Sequence, residues 1–206
     1  MSTPAAAAPV TTHPPSAFGN DLQRFLTLTW VLAVTDFKLK VFGSALGYLW
    51  SLVRPLLLFG VLYVVFTKVF KVGADITYYP VYLLTSIILW TLFAETTTGC
   101  VTCLVDRENL LRKIRFPRMV IPLAVALTAL FNFSLNLVVV AIFIVVQGVE
   151  PQATWLLMPL LVIVLIVLAT GAGMLVSALY VRYRDVQPIW DVVLQVLFYA
   201  TPILYV

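Results

Sequence analysis

DRENLLRKIRFPR, residues 106–118, interrupts two long apolar runs and decides how the rest of the chain is read. It carries Arg107, Arg112, Lys113, Arg115 and Arg118, while the runs beside it, about 79–105 and 120–146, hold few charges. Crossing about 30 Å of hydrocarbon takes about 20 apolar helical residues, so each run is long enough to span a membrane. A basic connection between two spans belongs on the cytoplasmic side, because cytoplasmic loops carry the excess of Lys and Arg.

Working outward, further apolar runs lie at about 46–70 and 155–181, and another begins near 189 and continues to 206. The fold class is therefore all-α, a polytopic transmembrane helical bundle. Composition agrees: 62% of the residues are hydrophobic and 11% charged, against about half and about a quarter in soluble domains. Eleven basic residues (Arg24, Lys38, Lys40, Arg54, the five above, Arg182 and Arg184) fall on one side of the spans, and only Lys68 and Lys71 on the other. This places the N-terminus in the cytoplasm. The formal net charge of +4 follows from these flanking residues. It forms no basic stripe of the kind that tracks nucleic acid.

Residues 1–18 form a Pro- and Thr-rich tail without the basic and apolar regions of a signal peptide, and are expected to be disordered. The transmembrane domain covers 19–206. It opens with an amphipathic helix over 20–42, in which Leu22, Phe25, Leu26, Trp30, Ala33, Phe37 and Val41 recur near the helical period. Such a helix lies in the headgroup boundary. The competing reading, an extra span, meets Asp36, Lys38 and Lys40 near its end. Pro55 suits the first turn of the next helix or a kink, with Arg54 reaching back to the surface.

Little in the chain supports catalysis. No Gly-x-x-x-x-Gly-Lys loop is present, so ATP has no phosphate cradle here. The sole histidine, His13, lies in the N-terminal tail, which gives a Ser-His triad little to stand on. Cys100 and Cys103 have the spacing of half a zinc site but no second ligand pair, and read as small packing residues. No catalytic residue and no metal site is assigned. Glu95 stands apart, roughly ten residues inside the second span. A carboxylate there must be paired or wet. It is either a residue of a substrate or proton path, or a structural group bonded to Thr96, Thr97, Thr98 or a neighbouring helix. Asn132 and Asn136 share one face of the third span and suit inter-helix hydrogen bonding, while Gly43 and Gly47 have a spacing that permits close helix approach. In 106–118 itself, Leu110, Leu111, Ile114 and Phe116 add an apolar stripe to the charges. Either a soluble partner docks there or the segment is a plain interfacial helix.

Three stretches together resemble the membrane subunits of type-2 ABC exporters, in the branch that exports lipid-linked polysaccharides such as O-antigens, teichoic acids and cell-wall galactans. They are GSALGYLWSLVRPLLL (43–58), LVDRENLLRKIRFPRMVIPLA (104–124) and SALYVRYRDVQPIW (177–190), the last running on to Thr201-Pro202-Ile203. The resemblance covers roughly residues 20–206. It implies an ABC type-2 permease in a bacterial inner membrane, working as a homodimer with two ABC ATPase subunits. ATP and magnesium would be held by those partners, with no cofactor in this chain and no nucleic-acid partner. It further implies an ATPase-coupling segment of Asp106, Arg107, Glu108, Asn109, Leu110, Leu111, Arg112, Lys113 and Phe116, and a cytoplasmic loop of Arg182, Tyr183, Arg184 and Asp185. A path for the lipid-linked substrate along the subunit interface would be lined by Tyr63, Glu95, Phe198 and Tyr199. Members of this family ordinarily continue past Thr-Pro-Ile into re-entrant helices and a sixth span, so the chain reads as cut short in or after its fifth span. Relatives also export drugs and other lipids. Outside the resemblance, two further alternatives are a lipid-modifying enzyme with Glu95 as its acid or base, and a channel whose outer mouth carries Lys68 and Lys71.

Overall fold

A computed structural model describes residues 22–42, 47–69, 78–108, 117–150 and 152–201. These form six main helices: α1 (Leu22–Phe42), α2 (Gly47–Val64), α3 (Tyr79–Asp106), α4 (Val120–Gln147), α5 (Met158–Arg182) and α6 (Val186–Ala200). A π-helical turn, Val65–Val69, extends α2, and a 3-10 turn, Ala153–Leu157, leads into α5. The described residues contain no strand. Four stretches are long and apolar enough to cross a membrane: Leu49–Val69, Tyr79–Asp106, Val120–Gln147 and Ala153–Arg182. In hydrocarbon every backbone N–H must be bonded within the chain, and the helix answers that demand segment by segment.

α3 is the hub, packing against α2, α4, α5 and α6. Leu83, Leu84, Ile87, Ile88 and Leu92 occupy one half of its buried face, together with Phe59 of α2 and Phe133 and Val140 of α4. The other half is built from small residues. Thr96, Cys100 and Cys103 of α3 face Ala169, Gly173 and Ser177 of α5, all buried. Small side chains let two backbones approach closely, which drives helix association where lipid is as apolar as the side chains. The closeness can be measured: a Cβ placed on Gly173 would sit 2.8 Å from Cys100 Cβ. Both thiols are free, Cys100 Sγ lying 3.8 Å from the Pro122 carbonyl and Cys103 Sγ 3.7 Å from Ser177 Oγ.

The outward face of α5 carries Leu160, Leu161, Val164, Val167, Leu168 and Leu175, exposed and apolar as a lipid-facing surface is. At its far end α4 closes on Gly148, whose φ of 64° a glycine adopts without Cβ strain and whose N–H bonds back to the last turn. α2 begins at Gly47 and runs through Pro55 to Val64, so of the two readings of the proline, a first turn or a kink, only the one inside a helix is left.

Candidate functional site

α1 is anchored along the half of the bundle that flanks the 106–118 segment. Its fully buried Ala33 lies against α4, where Thr128 Oγ1 is 2.8 Å from the Ala124 carbonyl and 3.3 Å from that of Ala33. Trp30 and Phe37, one on each side of this contact, both meet Phe131 edge-on with centroids 5.5 Å apart. Seven residues is two helical turns, so the two rings lie on one face of α1. Thr128 and Phe131 fall within roughly the first three turns of α4.

Asp36, one turn after Ala33, forms an ion pair with Arg107 at the end of α3. Each side chain is 22% exposed. Asp36, Lys40, Gly99, Cys103, Asp106 and Arg107 line part of a cavity of about 330 Å³ between α1, α3 and α4. The arrangement is a joint. The last residues of α3 and the first turns of α4, which bracket residues 109–116, are both tied to α1.

Of the expected coupling residues, Asp106 and Glu108 are exposed and Arg107 is held by Asp36. Asn109, Leu110, Leu111, Arg112, Lys113 and Phe116 lie outside the described residues, as do the tail and the 43–46 connection. Arg182, Tyr183, Arg184 and Asp185 are all exposed in the turn between α5 and α6. There the Arg182 guanidinium lies 5.6 Å from the Tyr183 ring centroid and that of Arg184 lies 5.2 Å from Tyr180. Cation–π contacts of this length orient the two cations without discharging them.

The four expected path residues lie on three helices, α2, α3 and α6. Tyr63 stacks between Phe59 and Tyr79, with centroids 5.7 and 6.5 Å away. Phe198 packs on Trp90 at 5.6 Å, and Tyr199 beside it is exposed. Glu95 is half-buried and accepts a hydrogen bond of 3.1 Å from Asn132 Nδ2. The neighbouring threonines do not serve it: Thr96 and Thr97 hydroxyls bond to the Leu92 and Phe93 carbonyls of their own helix. Asn136 in turn donates to the Asn132 carbonyl at 2.9 Å, so of the two asparagines only Asn132 bridges to α3 in this network. Asn132→Leu is therefore expected to strand the carboxylate and to cost about 1–3 kcal/mol, whereas Glu95→Gln keeps an acceptor oxygen and costs under about 1 kcal/mol. Melting of the detergent-purified variants tests this, and an unchanged melting temperature for Asn132→Leu would remove the bridge from the account.

Sequence reasoning passed over the Asp36–Arg107 pair. Its one visible sign was an acid near the end of an otherwise basic amphipathic helix, which names no partner.

Residues 27–206 match the ABC-2 type transporter family. The O-antigen export system permease protein RfbA of Klebsiella pneumoniae is 32% identical over 176 residues, which are 85% of this chain and 67% of that protein. The O-antigen export system permease protein RfbA of Myxococcus xanthus is 30% identical over 185 residues, 90% of this chain and 70% of its own length. The chain thus spans about two thirds of the curated relatives it matches. With membrane-length apolar helices packed through small residues and a family match over nearly all of the described bundle, the chain belongs to the ABC-2 type transporters and is a multi-pass membrane protein.

Proposed function

We propose that this chain is the membrane permease subunit of an ABC exporter that carries a lipid-linked polysaccharide from the cytoplasmic side of a bacterial inner membrane. The observation that carries this reading is the identity of 30–32% to O-antigen export permeases over 85–90% of the chain. The energy source is a separate ABC ATPase, present in two copies against a homodimer of this chain. The nucleotide and its magnesium belong to that partner. The excess of Lys and Arg on one side of the spans sets the N-terminus and residues 106–118 in the cytoplasm, where the ATPase reaches them.

The joint described above supplies a mechanism. A push on residues 109–116 acts on the end of α3 and the start of α4 together. Because Asp36 holds Arg107 and Ala33 sits on Thr128, α1 moves with them as one body. Rigid-body displacement of packed helices is an established way to convert closure at one site into opening at another. The path opens between the two copies and closes when the ATPase subunits separate.

Co-purification with the ATPase encoded beside this gene tests the assignment. Wild type is expected to retain it in detergent, and the doubly reversed Arg112→Glu, Lys113→Glu chain to lose at least roughly tenfold of the binding, since rim charges steer and hold such contacts. Arg107 is left intact in this comparison because its reversal would also break the pair with Asp36. Retention by the reversed chain would move the docking surface away from this segment, and failure of wild type to bind would count against the exporter reading.

A further inference from the structure

The cavity at the joint is lined by groups of both signs. Lys40 of α1 and Arg107 at the end of α3 are cations, and Asp36 of α1 and Asp106 of α3 are carboxylates, so the ionised lining sums to zero. Asp36 and Arg107 satisfy one another only in part. The pair uses Arg107 Nη2, while Nη1 is buried with no hydrogen-bond partner. Lys40 and Asp106 are in no ion pair among the described residues. One cation and one carboxylate are thus left over on different helices, beside an unused guanidinium donor. A buried N–H without a partner is costly, and each one calls for an explanation. A single bridging water needs about 10–15 Å³ of such space, whereas the cavity offers about 330 Å³.

The position of the cavity narrows what fills it. It lies where α1 meets the last turn of α3 and the first turns of α4, on the side that the excess of Lys and Arg assigns to the cytoplasm. Lipid headgroups border the hydrocarbon at this level, and charged pockets between spanning helices recognise them there. Leu39 and Val125 add apolar wall beside the charges. A free anion would meet the two carboxylates, and a simple cation would meet Lys40 and Arg107. An occupant of both signs finds a partner for each. We infer that the cavity binds one phospholipid of the cytoplasmic leaflet whose headgroup carries a primary ammonium beside its phosphate. The phosphate accepts from Lys40 Nζ and, after a turn of the guanidinium about its bond to Asp36, from Arg107 Nη1. The ammonium donates to the Asp106 carboxylate, where the carbonyls of the last turn of α3 add partial negative charge. The glycerol end rests on Leu39 and Val125. Such a lipid ties α1 to α3 in parallel with the Asp36–Arg107 pair. The inference needs this bundle to sit in a membrane and is independent of what the exporter carries.

The chain purified in detergent, stripped of lipid and titrated with phosphatidylethanolamine, phosphatidylcholine or phosphatidylglycerol of identical acyl chains, tests it by native mass spectrometry and thermal melting. All three share the phosphate; the first adds a primary ammonium, the second a quaternary one that donates no hydrogen bond, and the third no ammonium. Phosphatidylethanolamine is expected to bind on the order of tenfold more tightly than the other two, the usual return of a charge-assisted hydrogen bond, and to raise the melting temperature by mass action. Asp106→Asn should erase that preference and leave phosphatidylglycerol held at least as well as before. Lys40→Gln should weaken all three alike, whereas Lys38→Gln, an equal loss of charge on the same helix outside the cavity, should change nothing. Lys40 and Asp106 are exposed, so both stripped variants are expected to melt with stripped wild type, and the comparison of three lipids on wild type needs no variant. Equal affinity of wild type for the three lipids would overturn the headgroup. A preference that survives Asp106→Asn would overturn the site, and equal losses in Lys38→Gln and Lys40→Gln would reduce it to unspecific surface attraction. O-phosphoethanolamine that displaces the lipid at equal free concentration would make the occupant a soluble zwitterion and overturn the lipid.

Discussion

Gly173→Leu is expected to abolish the folded protein, reducing the monodisperse detergent-solubilised fraction at least about tenfold. α3 and α5 touch through small residues, and the Cβ of any residue at 173 would stand 2.8 Å from Cys100 Cβ and 2.9 Å from its Sγ. Real Cβ contacts do not come this close, and Cys100 Cβ is fixed to the backbone, so one helix must shift. Even Gly173→Ala is expected to cost about 2 kcal/mol, the middle of the range for overpacking a close-packed interior. Leucine adds three more carbons where the nearest neighbours are buried on every side. The comparison that gives the result meaning is Gly171→Leu, since nothing lies within 4 Å of a Cβ at 171 and that face is exposed. In a membrane this second leucine meets lipid and is expected to leave expression and melting unchanged. Fluorescence-detected size exclusion and thermal melting read both. A Gly173→Leu chain that folds like wild type would show that the α3–α5 contact is not close-packed.

The bundle itself was legible from the chain because hydrocarbon leaves few alternatives. Each long apolar run has to satisfy its own backbone, so run length translates into helices with little competition from other structures. Side-chain partners were harder to read, because lipid-facing and protein-facing positions in a span are both apolar and periodicity fades. Glu95 was visible as an anomaly in the second span, and its partner was open between adjacent threonines and a neighbouring helix. The choice of Asn132 follows from a competition the sequence does not display: Thr96 and Thr97 already bond to carbonyls one turn back in α3, the usual resort of a hydroxyl inside a helix. The tertiary position of α1 was less legible still. Asp36 and Arg107 are 71 residues apart, and either could have turned to water or to a lipid headgroup.

Reversing one charge of the joint should separate ATP hydrolysis from transport. In Asp36→Arg two cations face each other across the α1–α3 contact, each site only about a fifth open to water. Loss of an exposed pair costs at most about 1 kcal/mol and of a buried one about 3–5 kcal/mol, and this half-sheltered site falls between, near 2 kcal/mol. That is roughly a thirtyfold shift in the equilibrium that keeps α1 seated on α3. The fold should survive, because Ala33 on Thr128 and the two rings on Phe131 hold the rest of α1 in place. The ATPase should also still bind, since residues 109–116 are untouched. α1 would then follow α4 alone and no longer the end of α3, so the three helices cease to move as one body and glycan delivered to the cell surface per exporter falls on the order of tenfold or more while ATP hydrolysis by the purified complex continues. The double variant Asp36→Arg, Arg107→Asp restores the opposite charges with the partners exchanged and should recover most of the export. Recovery is what separates a coupling role from simple damage, since two damaging changes add whereas two halves of one pair cancel. Export left intact by the single reversal, or not regained by the exchange, would mean that α1 is moved by some contact other than this pair.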